Sequence, residues 1–533
     1  MRRLLGGSLL AAGVLILFGI FAGSARAVVP HCSEPYAICA EPVDSIGYGG
    51  EYTGHDEPSL LFYSNTPGAG NSNLYHLRLP SDPNVLPNQA GTAGTWNFQT
   101  HIAFWLGMAL CDNQSAPEYT HDNCVADSDT NIFDGTDENA PDYIGKHPGT
   151  AFLEVQFYPP GWAPWPPGVS CDASQWCAAM AIFSFNSNQN TGQANNQDCL
   201  NTVGIEPANF AFITHSGAPH APPGPLDQTD ATFTPDPSTD LFMNSGDDLA
   251  VDIHDGSAGL TVIVHDLTTG QVGAMTASAA AGFAQVRYEP DSPTCHEDPY
   301  SFRPMYSTSS EHTRVPWAAH SYNVAFSDEI GHFEYCTVVS EEGGECLDNG
   351  EELDGDDDGC FSAAFSTFVP IGGCIATDND FDGVSYQRVW PGTDPNRGQD
   401  KKYHPTSFTF TSPLFNGTQN YPRVAFETDL PRIEAADFGG NCNRFTGEGC
   451  VNPPPGANFY PIYSTGSSNG TPSGHCVWQF GGPYMKGTRN TFGGNSTAEF
   501  GPLLFSFYPN PNPAIRLRTN NFRNILSNNP CPA

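Results

Sequence analysis

The 533-residue chain carries 58 acidic against 20 Lys and Arg side chains, a formal charge of −38 that repels nucleic acid and anionic lipid and sets both aside as partners. Such a surface suits cationic ions, neutral polymers or an acidic medium. Its 39 % hydrophobic content can still fill a core, which argues against intrinsic disorder.

Arg2 and Arg3 precede an uncharged run over residues 9–22, and Ala25, Arg26 and Ala27 supply the small-residue pattern of a cleavage site. Residues 1–27 therefore read as a signal peptide, with an uncleaved membrane anchor as the rival reading. Cleavage makes the mature chain a secreted protein, removes three arginines and leaves it more acidic still. No later stretch is apolar enough to span a bilayer, so no membrane contact is expected after cleavage. All sixteen cysteines lie beyond the signal, and an even number in an exported chain reads as a disulfide framework. Cys32 with Cys39, Cys111 with Cys124, Cys171 with Cys177 and Cys442 with Cys450 are near enough in sequence to clip local loops, although spacing does not fix connectivity. No Cys-x-x-Cys pair occurs, so a zinc ribbon finds no support.

Forty-seven prolines and the near absence of helical periodicity leave strands and loops as the main elements. The expected class is an all-β antiparallel sandwich of the jelly-roll or concanavalin-like sort, with little helix. Residues 28–336 are expected to form a β-sandwich domain with an active groove. Residues 337–533 are expected to form a second β-rich region, beginning where composition shifts to Glu, Gly and Asp.

In chain order, the strand over 151–158 sorts by parity. Ala151, Leu153, Val155 and Phe157 point one way; Phe152, Glu154, Gln156 and Tyr158 point the other. Between 249 and 264 two alternating runs pair as a hairpin, and a register of Leu249 with Val264 and Ile253 with Leu260 places six apolar residues on one face. A turn at Thr268, Thr269 and Gly270 leads to a third strand over 272–278, and a fourth over 283–289 completes a meander. Gln285, Arg287 and Glu289 share one face of that fourth strand. If both polar faces line one groove, Glu154 and Glu289 converge between aromatic walls; the alternative is an ordinary solvated sheet face.

Further on, Glu311, His312, His320, Asp328, Glu329, His332 and Glu334 form a loose cluster, readable as a metal or acid–base site or as ordinary hydrogen-bonded histidines. Asp354, Asp356 and Asp358, and then Asp378, Asp380 and Asp382, stand at alternate positions before a turn-making glycine. That spacing wraps a hard cation in oxygens, so structural calcium is expected there, against the alternative of solvated acidic loops. The wording at 302–310 recurs at 459–467, and an acid-ended strand precedes each, 286–289 and 424–427. Two related β units would explain this, with Glu427 as the counterpart of Glu289; chance turn chemistry would also do so.

A family resemblance rests on 150–154 (Thr-Ala-Phe-Leu-Glu), 246–248 (Gly-Asp-Asp), 264–271 (Val-His-Asp-Leu-Thr-Thr-Gly-Gln), 283–289 (Phe-Ala-Gln-Val-Arg-Tyr-Glu) and 315–326. In order and wording, residues 100–336 resemble the glutamic peptidases, or eqolisins. The resemblance implies an acid peptidase on a concanavalin-like sandwich, with the 283–289 strand bringing its catalytic glutamate as Glu289. Where that family has its catalytic glutamine this chain has Glu154, with Gln156 two residues on. Glu154 and Glu289 as a carboxyl pair, with Gln156 or Gln285 orienting water or an oxyanion, suit acid hydrolysis of a protein. Two carboxyls serve glycoside hydrolysis as well. The substrate is thus an extracellular polymer, protein or polysaccharide, and a binding module without turnover shares every feature of the sandwich.

Overall fold

The computed structural model describes residues 52–53, 59–63, 69, 71–81, 104–112, 149–158, 160, 171–172, 174–184, 186–188, 193–204, 207–304, 314–319, 408–415, 417–429, 458–465, 477–480, 489–495, 503–507, 518–526 and 529–530. The signal segment, the 311–312, 320 and 328–334 cluster and both expected calcium loops lie outside these residues.

The first strands are β1 (Tyr52–Thr53), β2 (Ser59–Tyr63), β3 (Ser72–Arg78), β4 (Phe104–Asp112), β5 (Gly149–Tyr158), β6 (Gln175–Ser184), β7 (Ser187–Asn188) and β8 (Gln193–Ala194). The α-helix α1 (Gln197–Val203) follows, its first turn capped by Asn196, whose side chain accepts from the Cys199 N–H at 2.9 Å. Then come β9 (Ala208–Phe212), β10 (Phe242–Asn244), β11 (Asp248–Asp255), β12 (Leu260–Asp266), β13 (Val272–Ala277), β14 (Ala284–Val286), β15 (Glu297–Pro299) and β16 (Arg314–Ala319). The C-terminal part adds β17 (Phe408–Thr411), β18 (Leu414–Phe415), β19 (Gln419–Asn420), β20 (Arg423–Asp429), β21 (Asn458–Thr465), β22 (Val477–Phe480), β23 (Arg489–Asn495), β24 (Leu503–Phe507) and β25 (Arg518–Leu526).

Two large sheets hold most of these. One runs β1-β25-β20-β2-β16-β4-β5-β6-β10, with β9 also on β6; the other runs β13-β12-β11-β3-β17-β22-β21-β23. All pairings are antiparallel except β1 with β25. One core joins the two sheets: Phe62 of β2 meets Phe410 of β17 and Trp478 of β22 with ring centroids 6.5 and 6.4 Å apart. The class is the expected all-β sandwich.

Its division is not the expected one. Strands from both sides of residue 336 share both sheets: β2 pairs with β16 and with β20, and β3 pairs with β11 and with β17. The composition shift near 336 therefore marks no break in the sandwich. The repeated wording also lands in unlike places. Val286 belongs to the small two-stranded sheet of β14 and β15, whereas Glu427 lies within the larger sheet on β20.

The meander holds for three strands, β11 to β13. Leu249, Val251, Ile253, Leu260, Val262 and Val264 are all buried on the core face, as their alternation requires. The register differs from expectation by two residues: Leu249 pairs with Asp266, Val251 with Val264 and Asp255 with Leu260. A two-residue slip preserves every side chain's face, so the core is unchanged. The tighter turn causes it, because Gly256 and Gly259 exchange N–H to O bonds of 3.0 and 3.3 Å and let the strands pair up to Asp255. Gly259 has φ 152°, and a Cβ there would stand 2.5 Å from the Ala277 carbonyl oxygen. The fourth strand leaves the meander: β14 pairs with β15 instead.

Candidate functional site

Parity and neighbours shape the face of β5 turned away from the core. Ala151, Leu153, Val155 and Phe157 are fully buried in the core, which leaves Phe152, Glu154, Gln156 and Tyr158 on the other side, as expected. Glu154 lies opposite Gly107 on β4 and Ala181 on β6; Gln156 lies opposite Trp105 and Ala179. Gly107 has no side chain, so the Trp105 ring can lie along β4 and meet Phe152 edge-on, centroids 5.4 Å apart. Across Ala179 and Ala181 stand Phe212 and Phe210 of β9, packed edge-on at 5.1 Å. Small residues thus leave room for the carboxyl and amide between the Trp105–Phe152 pair and the Phe210–Phe212 pair, a trough that is packed rather than open: all four rings are buried, and Tyr158, Ala179, Ala181, Phe210 and Phe212 form one apolar cluster. Two strand spacings, about 10 Å, separate β5 from β9.

Within the trough, three side chains form one relay. The Tyr158 hydroxyl donates to Gln156 Oε1, and Gln156 Nε2 donates to Glu154 Oε2 at 2.6 Å. Burial, and then the negative charge of Glu154, push the Tyr158 phenol well above its ordinary value, so it keeps its proton and donates. That fixes the amide with its nitrogen toward Glu154. Gln156 is buried and Glu154 partly exposed. Among the described residues the Trp105 indole N–H, buried beside them, has no hydrogen-bond partner.

The Phe212 wall is backed by His220, stacked on it at 5.7 Å and 16°. His220 Nδ1 lies 2.8 Å from Asp240 Oδ1 and Nε2 lies 2.9 Å from the Ala231 carbonyl oxygen. Both partners only accept, so the ring satisfies both by carrying two protons. Burial acts to lower this imidazole, but the bonds to Asp240 and Ala231 outweigh it and hold it above the ordinary value.

Glu289 is held elsewhere. Asn209, of opposite parity to Phe210 and Phe212 on β9, clasps the backbone of Ala284 through bonds of 2.8 and 2.9 Å, so β14 docks on the far side of β9 from the trough. Regular strand ends at Val286 because Asn195 and Asn196 take over the backbone: Glu289 N donates to Asn195 Oδ1 and Asn196 Nδ2 donates to Glu289 O. The expected common face is thereby broken, with Gln285 buried and Arg287 exposed. The Glu289 carboxylate meets His296 Nδ1 at 2.6 Å and Arg287 at 3.8 Å. Among the described residues those are its side-chain partners, and neither Glu154 nor Gln156 is one of them. Glu427 pairs with Ser59, in the cross-strand row that continues through Ala318 and Trp105 to Gln156. Four strand spacings, about 19 Å, separate it from Gln156.

Two disulfides are described. Cys171–Cys177 is one of the local pairs expected from spacing, and Cys199–Cys295 is a long-range one that spacing did not suggest. The other three local pairs involve cysteines outside the described side chains. Among the described residues no three His, Cys, Asp or Glu side chains converge as metal ligands, and no helix is long and apolar enough to cross a membrane.

Residues 466–470 read Gly-Ser-Ser-Asn-Gly, the Gly-x-Ser-x-Gly pattern of a nucleophile elbow. An elbow joins a strand to a helix, whereas this string lies between β21 and β22, outside the described residues. Sequence reading missed Trp105, Phe210 and Phe212, whose place beside Glu154 depends on a register that no local signal encodes. Comparison with models of known protein families, with curated proteins and with solved structures finds no match for this chain.

Proposed function

We propose that the chain is an exported hydrolase of an extracellular polymer, acting in the trough over β5, with Glu154 as the carboxyl that activates water and Gln156 as the amide donor to the developing oxyanion. The observation that carries this reading is the Tyr158 to Gln156 to Glu154 relay set between aromatic walls. The second N–H of Gln156 Nε2 supplies a donor beside the carboxylate, the pairing an acyl-transfer transition state needs. The resemblance to glutamic peptidases favours a peptide substrate, but it assigns the catalytic glutamate to Glu289, which lies away from the trough, so the site rests on the relay and not on that assignment.

The test is incubation of the mature protein with denatured protein and with a polysaccharide panel between pH 3 and 7. Glu154→Gln is expected to lower turnover by about 10² to 10⁴ with little change in melting, and Gln156→Ala by about 10² to 10³ with a lower melting temperature, since it leaves the buried Tyr158 hydroxyl without its acceptor. Wild-type turnover in both variants would sink the assignment. A second reading, a polymer-binding module, is favoured by the engagement of Glu289 with Arg287 and His296, away from the trough. Under that reading, polymer is retained without product and retention falls on Glu154→Ala, the partly exposed member of the site.

A further inference from the structure

We infer that Thr294, His296 and Glu289 form a second reactive centre, a hydroxyl–imidazole–carboxylate relay that accepts acyl groups from small activated esters. The inference does not rest on the trough. Thr294 Oγ1 lies 3.0 Å from His296 Nε2, and His296 Nδ1 lies 2.6 Å from Glu289 Oε2. An ionised carboxylate only accepts, so Nδ1 carries the ring proton toward Glu289. The neutral ring then offers Nε2 as acceptor for the Thr294 hydroxyl. That is the order of contacts by which an imidazole, oriented by a carboxylate, activates a hydroxyl.

The three residues stand on a braced frame. Thr294 and His296 flank Cys295, which is bonded to Cys199 of α1 and donates its N–H to Asp198 Oδ2 at 2.9 Å. Ser292 brackets Thr294, its hydroxyl donating to the Thr294 carbonyl at 2.7 Å and accepting from the Thr294 N–H at 3.2 Å. The backbone of Glu289 is held by Asn195 and Asn196. Thr294 and His296 are both exposed, so a reagent reaches the hydroxyl directly. With no aromatic wall beside it among the described residues, the centre suits a small acyl donor rather than a polymer. In the reaction, an Oγ1 to acyl-carbon bond forms while the hydroxyl proton passes to Nε2. The alcohol leaving group then departs with that proton, and water attacks the resulting ester by the same route.

The experiment treats the full mature chain with p-nitrophenyl acetate, quenches in acid and maps acetylation by peptide mass spectrometry. Acetyl on Thr294 is expected to form about 10²-fold faster in wild type than in His296→Gln, about tenfold faster than in Glu289→Gln, and to persist at position 294 in Thr294→Ser. If the ester turns over before the quench, the same dependence appears as steady-state p-nitrophenolate release that is lost in Thr294→Val. Circular dichroism melting of each variant separates loss of the relay from loss of fold, and His296→Asn replaces any variant that melts early. The inference is overturned if residue 294 takes no acetyl and release is unchanged in Thr294→Val, or if residue 294 is acetylated equally fast in a folded variant that lacks the imidazole.

Discussion

Two buried tyrosines on the core side of β3 and beside it show how the same group stabilises or destabilises according to its partners. The Tyr421 hydroxyl reaches the Ala69 carbonyl at 2.6 Å and Asn73 Oδ1 at 2.7 Å. Among the described residues the Tyr75 hydroxyl, equally buried, has no hydrogen-bond partner, and burial followed by the nearness of Tyr421 raises it well above its ordinary value. Removing the first hydroxyl leaves buried Asn73 without its donor and is expected to cost about 1–3 kcal/mol. Removing the second discards a desolvated group that makes no bond, and Tyr75→Phe is expected to be neutral or to stabilise by about 1 kcal/mol. Urea denaturation of Tyr421→Phe and Tyr75→Phe reads the difference directly. Equal losses in both would mean that the Tyr75 hydroxyl has a partner after all.

At the scale of elements, the hairpin of β14 and β15 owes its position to covalent and polar ties more than to sheet pairing. Three register pairs hold it together, Asn209 fastens it to β9, and the Cys199–Cys295 bond ties its loop to α1 across 96 residues. Constraint of the unfolded chain grows with loop length, so removal of that bond by Cys199→Ala with Cys295→Ala is expected to cost about 4 kcal/mol. Removing Cys171–Cys177, which closes a six-residue separation, should cost about 2 kcal/mol. Guanidinium midpoints of the two double variants rank them, and the reverse ranking would place the long bond's role elsewhere.

These elements also show what was legible in the sequence. Strands such as β5, β11 and β12 announced themselves because a buried face forces period-two alternation, and their buried residues are the ones that alternation selects. Loop closure was legible to within two residues, since parity tolerates a slip of two and only the glycine turn fixes the rest. The fate of Glu289 was not legible. Its strand stops at Val286 because the side chains of Asn195 and Asn196, nearly a hundred residues earlier, bind its backbone. Glu154, Gln156 and Phe152 could be read because all three lie on one strand; Trp105, Phe210 and Phe212 could not, because they come from β4 and β9.

At the scale of the molecule, three groups among the described residues bind their protons more tightly in the folded chain. Asp247 is raised by burial and by the neighbouring carboxyl of Asp266, Glu297 by burial and Asp227, and His220 by its two acceptors against the effect of burial. Each holds its proton more tightly in the folded chain. The stability this supplies is complete below the unfolded values, about 4 for the carboxyls and about 6.5 for the imidazole. It is lost as pH rises through the folded values. Asp236 and Asp298, held low by their partners, and His76, lowered by burial, act oppositely; the two carboxylates lie nearer solvent, where such effects are screened, whereas His76 offsets part of the His220 contribution. Relief of repulsion in a chain of formal charge −38 adds to the same trend. The melting temperature is therefore expected to be higher at pH 5 than at pH 8, with the slope reduced in Asp247→Asn. A melting temperature that climbs from pH 5 to 8 would contradict the balance of these groups.

The threading of the sheets governs when such a fold can exist at all. β1 lies against β25, and β3 is sandwiched between β11 and β17, so the earliest strands find their neighbours only after hundreds of further residues have been made. Contacts this distant in sequence are formed late, because each must overcome the entropy of a long open loop before it returns any energy. A ribosome releasing this chain thus releases a polymer whose early strands still lack their partners. Local pairs such as β4 with β5 and β11 with β12 need no such wait, so the sandwich closes last along the strands at its N-terminal end.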